Sequence, residues 1–196
     1  MKVLFAVASY LLGSIPTGYL LVRAVDRRDI RRLGSGATGA TNVFRVKGLK
    51  FALPVMIVDI LKGFLPALLG MRIFHDPFLA GLAGFLAVVG HCFPFSIGFR
   101  GGKGVATSLG ALSALALPPV LLSLAVFIVT VAVSRFVSLG SILAALFFPL
   151  FVRLVGAPAV IFYWSLPVVA LVIFKHGDNI RRLIGGSEPR LGEKRP

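Results

Sequence analysis

Long apolar runs separated by short polar segments fill almost all of this chain of 196 residues. The first run, residues 3–22, is about as long as the ~20 residues with which a helix crosses a bilayer. A cleaved signal peptide would end sooner and lead into a soluble domain, for which the pattern gives no sign. The pattern predicts an all-α polytopic membrane protein, a seven-transmembrane-helix bundle forming one domain over residues 1–196. The predicted spans are residues 3–22, 51–72, 78–95, 105–117, 119–133, 137–152 and 157–174, and Gly13, Ser14, Pro16 and Gly18 predict a kink in the first.

The number of spans depends on the apolar stretch of residues 105–133, which only Pro118-Pro119 interrupts. Paired prolines remove backbone donors and clash with the preceding turn, which favours two helices, although each half is short for a span. Charge decides between the counts. With seven spans and the N-terminus outside, seventeen of the 21 Lys and Arg residues fall in inward segments. Six spans would put the basic tail outside, against the positive-inside rule. We therefore expect an external N-terminus and a cytoplasmic C-terminus.

The composition supports a membrane protein and limits its partners. Hydrophobic residues make up 57% and charged residues 14% of the chain, whereas a soluble domain is nearer half apolar and a quarter charged. A net charge of +14 would suggest nucleic acid in a soluble chain. With apolar spans, anionic headgroups and anionic substrates are the expected partners instead, and no nucleic acid. The single Cys92 excludes an intrachain disulfide and a cysteine-cluster metal site.

The glycine-rich segment of residues 99–107 has the composition of a phosphate-binding loop. Its glycines allow backbone N–H groups to approach an anion, and Arg100 and Lys103 add positive charge. It is not a Walker A loop, because Ile97 occupies the first glycine position and Gly104 follows the lysine. A glycine-rich turn carrying ordinary cytoplasmic positive charge explains the same residues, and both interpretations stay open here.

Two further polar segments fall on the same predicted face. Residues 34–39 match the dinucleotide fingerprint Gly-x-Gly-x-x-Gly, but no strand precedes them and the Rossmann interpretation is excluded. An anion pocket lined by small residues and hydroxyls remains, as does a flexible loop. His176 and Asn179 lie three apart and share one face of a helix, which suits proton transfer or phosphate binding. An interfacial role for a histidine beside Lys175 is the alternative.

Inside the second span, Asp59 and Lys62 predict a neutralising pair that fixes helix packing, and in the third span His91 predicts a packing hydrogen bond. No His, Cys or carboxylate has the spacing of a metal site, and no serine elbow or activated nucleophile is present. An enzyme of this kind would bind and orient anions rather than form a covalent intermediate, and we expect no metal and no cofactor.

Taken together, these segments resemble the bacterial acyl-phosphate-dependent glycerol-3-phosphate acyltransferases nearly from end to end. The residues that carry the resemblance are 13–18, 34–36, 39–43, 45, 59, 62–63, 90–91, 93–94, 99, 101–107, 138–139, 141, 175–176, 179–180, 182–183 and 188–189. One departure is Ala37, where the family usually has asparagine, so position 37 is not expected to be a site residue.

The resemblance implies a seven-helix membrane bundle with cytoplasmic active-site loops, in the bacterial inner membrane. The implied reaction transfers an acyl group from acyl phosphate to the 1-hydroxyl of sn-glycerol 3-phosphate, giving lysophosphatidic acid and phosphate for phospholipid synthesis. It also implies membrane lipid as surroundings and an upstream enzyme that makes acyl phosphate. The implied catalytic residues are Ser35, Arg45, Lys103, His176 and Asn179, and the implied substrate-binding residues are Thr41, Asn42, Gly101, Gly102, Gly104 and Ser141. Glu188 is implied to be structural.

Because acyl phosphate is already activated, the remaining need is a base for the attacking hydroxyl, either His176 or the departing phosphate, and the resemblance favours the phosphate. The three polar segments are expected to converge on one pocket. Two other classes fit part of the pattern: a transporter of a phosphorylated metabolite, which would suit broken short helices, and a scaffold for anionic lipid, which would explain the net charge. Against a transporter, the sequence shows no inverted repeats. A scaffold for anionic lipid leaves the glycine, serine and histidine clusters unexplained.

Overall fold

The computed structural model describes residues 1–193, and this part of the chain contains ten α-helices, two 3-10 turns and no strand. The all-α prediction is confirmed. The chain divides into two compact units, Met1–Leu115 and the segment from Ala116 onward. The predicted single domain over residues 1–196 stays a prediction.

The first unit contains six helices and both turns. They are α1 (Lys2–Gly13), α2 (Thr17–Asp26), a 3-10 turn (Ile30–Arg32), α3 (Ala40–Lys47), α4 (Leu49–Phe74), α5 (Pro77–Cys92), a second 3-10 turn (Phe95–Ile97) and α6 (Val105–Leu115). The second unit contains α7 (Leu117–Ser134), α8 (Val137–Leu154), α9 (Ala159–Lys175) and α10 (Gly177–Ile184).

Five segments of residues 1–193 are long and apolar enough to cross a membrane: Lys2–Asp26, Leu49–Phe74, Pro77–Ile97, Leu117–Ser134 and Val137–Leu154. A sixth appears if α9 and α10, bent by 57° to one another, count as one span. Helix α6 is apolar but only 11 residues long, about half of what a perpendicular span needs. The predicted count of seven and the orientation of the termini therefore stay predictions.

Prolines lie at two of the helix breaks. The predicted kink in the first span is a full break, because α1 ends at Gly13 and Pro16 caps the start of α2. The predicted boundary at Pro118-Pro119 was wrong by two residues. Both prolines lie in the first turn of α7, where a missing N–H costs nothing, and the chain breaks at the extended Ala116 (φ −156°).

Close contacts between backbones hold α4 and α6 together. A Cβ at Gly63 would meet the carbonyl oxygen of Thr107, and a Cβ at Gly110 would meet that of Ile60. Such contacts at small residues are how apolar helices pack in lipid, where burial of apolar surface supplies little driving force. Helix α6 is thereby fixed against α4, and the loop that precedes α6 starts from a rigid base.

A small apolar core lies under the polar segment between α2 and α4. Val22, Ile30, Val43, Ala52 and Val55 are buried together and join α2, the first 3-10 turn, α3 and α4. The polar loop of residues 34–39 is consequently anchored on both sides.

Candidate functional site

Asn42 holds the first polar loop in shape. It is 1% exposed, its Oδ1 accepts a hydrogen bond from the Ser35 N–H at 2.8 Å, and its Nδ2 donates to the carbonyl oxygens of Leu33 and Ala37 at 3.0 and 2.8 Å. An amide that bonds the loop at three points positions Ser35 rather than leaving the loop flexible. The predicted part of Asn42 in substrate binding stays a prediction.

Backbone conformation explains why glycine occupies positions 34 and 36 of this loop, and packing adds a second reason at position 34. Gly34 and Gly36 have φ of +57° and +75°, and a Cβ at Gly34 would meet the side-chain oxygen of Asn42. Ser35 between them is half-buried. Thr41 is exposed near the start of α3, and Arg45 lies one helical turn later, half-buried on the same face. The first unit therefore places the Ser35 hydroxyl, in the loop, and the Arg45 guanidinium, on α3, close together in the sequence.

Arg31, which sequence reasoning missed, connects two of the polar loops. Its NH1 donates to the carbonyl oxygen of Ile97 at 2.6 Å, and its Nε and NH2 bind the Asp29 carboxylate at 3.0 and 2.7 Å. The Arg31 hydrogen bond holds the pKa of Asp29 below its usual value. The only sequence signal was an Asp two residues before an Arg at a turn, which is the pattern of a side-chain cap.

The glycine loop before α6 folds back onto the end of α5. The N–H groups of Gly101 and Gly102 donate to the carbonyl oxygens of Cys92 and His91 at 3.3 and 3.1 Å. These two amides therefore serve the fold of the loop, which differs from the expectation that they turn toward an anion. Lys103 is half-buried in the next position.

Gly104 has φ of +83°, and a Cβ there would lie 2.9 Å from Val88 Cγ1, so packing requires glycine at this position as well. The parts of Gly101, Gly102, Gly104 and Lys103 toward substrate stay predictions.

A row of buried polar side chains leads from α4 to this loop. A Cβ at Gly102 would meet the imidazole ring of His91, whose Nδ1 lies 3.6 Å from Asp59 Oδ1. Lys62 Nζ lies 2.7 Å from the same oxygen and donates to the carbonyl oxygen of Ile15 at 2.9 Å. The predicted neutralising pair of Asp59 and Lys62 is present, and it extends through His91 to the glycine loop.

The second unit contains its own polar cluster, centred on Glu188. This carboxylate is 5% exposed and accepts hydrogen bonds from Ser138 Oγ at 2.7 Å, Asn179 Nδ2 at 2.6 Å and Arg182 Nε at 2.7 Å. It ties α8, α10 and the tail together, in agreement with the structural part implied for Glu188. Asn179, expected to be catalytic, has its amide nitrogen directed at Glu188, and its part in catalysis stays a prediction.

His176 and Ser141 are also buried in this unit. His176 Nδ1 lies 2.7 Å from the carbonyl oxygen of Val172, which can only accept, so the contact favours a proton on Nδ1. Ser141 Oγ donates to the carbonyl oxygen of Val137 at 2.9 Å. Catalytic and binding parts for these residues stay predictions.

Glu188 makes stability depend on pH. Burial alone would raise the pKa of Glu188, but the hydrogen bonds from Ser138, Asn179 and Arg182 outweigh it and lower the pKa below its usual value. A carboxyl group whose pKa is lowered in the folded state stabilises the fold at pH values above its unfolded-state pKa. This contribution is lost as the pH falls through the folded-state pKa.

We therefore expect the thermal midpoint in detergent to fall as the pH drops below about 4, the unfolded-state value for glutamate. The decline should be shallower in Glu188→Gln, which has no carboxyl to protonate. Equal slopes for the two proteins would contradict this account of Glu188.

Apolar helices that carry basic, glycine-containing loops and a buried carboxylate network define a helical integral membrane protein with polar loops suited to anions. The family model described as glycerol-3-phosphate acyltransferase matches residues 3–186. The chain belongs to this family, and the family predicted from the sequence is confirmed.

Similar proteins cover the chain almost completely. A glycerol-3-phosphate acyltransferase of Geobacter sulfurreducens is 46% identical over 191 residues, covering 97% of both chains. One of Brucella anthropi is 45% identical over 188 residues, covering 96% of this chain and 92% of that protein. The crystal structure of PlsY (YgiH), an integral membrane glycerol 3-phosphate acyltransferase, in its glycerol 3-phosphate form matches with a TM-score of 0.93 and 38% identity, covering 97% of this chain and 96% of that one.

Proposed function

We propose that this protein transfers the acyl group of acyl phosphate to the 1-hydroxyl of sn-glycerol 3-phosphate, at the cytoplasmic face of the bacterial inner membrane. The observation that carries the proposal is the likeness, at a TM-score of 0.93, to a glycerol 3-phosphate acyltransferase in its glycerol 3-phosphate form. The lysophosphatidic acid form of that enzyme is similar too, with a TM-score of 0.90. The products here would be lysophosphatidic acid and inorganic phosphate, the first acylated intermediate of phospholipid synthesis.

The reaction is a single displacement at the acyl carbon. The 1-hydroxyl oxygen attacks the carbonyl carbon, the bond from that carbon to the phosphate oxygen breaks, and phosphate leaves with the electron pair. The hydroxyl proton goes to the departing phosphate or to His176 Nε2. Since the donor is activated, no covalent enzyme intermediate is required, and positioning with electrostatic stabilisation supplies most of the acceleration.

The residues of the first unit suit the phosphorylated substrate. Arg45 and Lys103 supply two cationic side chains, one on α3 and one in the glycine loop. An arginine binds phosphate through two parallel hydrogen bonds, and a lysine acts as a compact point charge. Ser35, whose backbone is held by Asn42, adds a hydroxyl in the loop that precedes α3. We assign glycerol 3-phosphate recognition to these groups.

Lys103→Ala should raise the KM for glycerol 3-phosphate about 10- to 100-fold, because a charge-assisted contact to phosphate is worth roughly 1.5–3 kcal/mol. The thermal midpoint should hardly change. Steady-state kinetics with glycerol 3-phosphate as the varied substrate measures the effect, and Lys50→Ala, an exposed lysine at the start of α4, is the matched control. An unchanged KM in Lys103→Ala would remove this residue from the site.

His176→Gln separates the two candidate bases. If the departing phosphate takes the proton, the variant should retain turnover to within about tenfold, since glutamine still donates hydrogen bonds but cannot act as a base. A loss of 10²- to 10⁴-fold in kcat would instead assign the proton to His176.

The donor is tested by comparing initial rates with acyl phosphate and with acyl-CoA of the same chain length. The proposal expects lysophosphatidic acid from acyl phosphate and little or none from acyl-CoA. A higher rate with acyl-CoA would overturn the assignment of the donor while leaving the acceptor assignment intact.

A further inference from the structure

An arginine-lined cleft at the end of α2 has no part in the reaction described above. It has a volume of about 720 Å³ and is lined by Arg23, Arg27, Arg28, Asp29, Arg32 and Leu33. All four arginines are exposed. Arg27 closes α2 in the left-handed conformation (φ +56°), which ends the helix and directs the following residues away from its axis.

The cleft is more positive than its composition suggests. Its one carboxylate, Asp29, is already bound by Arg31, with Nε at 3.0 and 3.1 Å and NH2 at 2.7 Å from its oxygens. Within residues 1–193, no carboxylate lies within salt-bridge distance of Arg27, Arg28 or Arg32. Several guanidinium groups therefore face a shared space whose one lining carboxylate, Asp29, is already bound by Arg31.

The position of the cleft relates it to the lipid. Helix α2 is the second half of Lys2–Asp26, a segment long and apolar enough to cross a membrane. On α2, Leu20 and Val25 are 49% and 51% exposed, and Arg23 lies one turn after Leu20. Apolar side chains exposed beside a basic rim are the arrangement expected where acyl chains give way to headgroups.

We propose that this cleft binds the phosphate-bearing headgroup of an anionic membrane phospholipid. Arginine suits this ligand because its planar guanidinium matches phosphate with two parallel hydrogen bonds. A volume of about 720 Å³ is far larger than a single phosphate ion, and the exposed Leu20 and Val25 on α2 offer apolar contacts to the acyl chains of a lipid. The bound lipid anchors the end of α2 and the turn that leads to Ser35.

The test measures binding by calorimetry on purified, delipidated full-length protein in neutral detergent, without substrates. The three probes are short-chain phosphatidylglycerol, phosphatidylcholine of the same chain length, and inorganic phosphate. The variant Arg28→Gln/Arg32→Gln removes two cleft charges. The control Lys50→Gln/Arg181→Gln removes the same charge from exposed positions outside the cleft.

We expect phosphatidylglycerol to bind more tightly than either other probe, and Arg28→Gln/Arg32→Gln to weaken it roughly 10- to 30-fold, the effect of two basic groups at a membrane surface. The control should stay within about threefold of wild type. Arg28→Lys/Arg32→Lys, which keeps the charge, should fall between, and thermal midpoints verify that every variant is folded.

Equal affinity for phosphatidylglycerol and phosphatidylcholine would overturn the proposal, as would unchanged binding in Arg28→Gln/Arg32→Gln. If inorganic phosphate bound as tightly as phosphatidylglycerol and lost affinity in the same variant, the cleft would be a site for free anions and the lipid assignment would be wrong. Inorganic phosphate is also a product of the proposed acyl transfer, so only binding that Arg28→Gln/Arg32→Gln weakens reports on the cleft. With that criterion the results do not depend on the donor or the acceptor of the acyl transfer.

Discussion

Replacing Gly102 with alanine should lower the rate of acyl transfer by about 10²-fold or more and destabilise the protein by about 1–3 kcal/mol. An alanine Cβ would meet the His91 ring, with Cε1 at 2.8 Å and Cδ2 at 3.0 Å. The ring has little room to move, because His91 is 6% exposed and its Nδ1 faces Asp59 at 3.6 Å. The glycine loop must shift instead, and Lys103 shifts with it.

Thermal unfolding in detergent and steady-state kinetics measure the two effects. Gly177→Ala is the matched control for stability, because a Cβ at Gly177 has no atom within 4 Å and alanine favours the helix that begins there. If Gly102→Ala unfolded at the wild-type temperature and kept full activity, the contact between His91 and the loop would have no consequence. The double variant His91→Ala/Gly102→Ala should recover part of the stability, since it removes the obstructing ring.

Glu188→Ala should destabilise the protein by about 2–3 kcal/mol. The change leaves Ser138, Asn179 and Arg182 without the carboxylate that they share, and a buried group deprived of its partner keeps the cost of desolvation. The value is set below the ~3–5 kcal/mol of a fully buried ion pair because the Arg182 side chain is 31% exposed and can regain water.

Chemical or thermal unfolding of the purified protein checks this value. Glu193→Ala is the matched control: Glu193 is exposed and accepts one hydrogen bond, from the Arg190 N–H at 2.9 Å, so its loss should cost less than about 0.5 kcal/mol. Glu188→Gln should lie between the two, because the amide oxygen still accepts a hydrogen bond but the charge is lost. A Glu188→Ala midpoint equal to that of Glu193→Ala would contradict a central part for this carboxylate.

The helices could be predicted from the sequence because the physical signal is local. Apolar runs of nearly bilayer length, bounded by charges and glycines, placed the long spans within a few residues of α4, α7 and α8. The boundary at Pro118-Pro119 moved by two residues, since prolines start a helix as readily as they end one.

The interior of the polar loops could not be predicted, because its contacts join residues far apart in the chain. Arg31 reaches the Ile97 carbonyl group 66 residues away, and nothing near either residue signals this contact. A glycine-rich segment also has two physical explanations, an amide that binds an anion or a space too small for a Cβ. At Gly102 the structure shows the second, whereas composition alone left the function of the loop open.

The family could be predicted because many short motifs occur in the right order, although each is weak alone. The family model matching residues 3–186 confirms that prediction. The roles of Ser35, Lys103 and His176 stay predictions, and the kinetic experiments above test those of Lys103 and His176. The convergence of the polar segments on one pocket also stays a prediction.

The most direct test of the central claim is an assay of the purified protein in detergent. Labelled glycerol 3-phosphate and acyl phosphate are added, and both products are measured over time. The account predicts labelled lysophosphatidic acid and inorganic phosphate in a ratio of about one to one, with no added metal or cofactor, and neither product when glycerol 3-phosphate is left out. A protein that binds both compounds but forms no lysophosphatidic acid, as a transporter or a lipid scaffold would, contradicts the account.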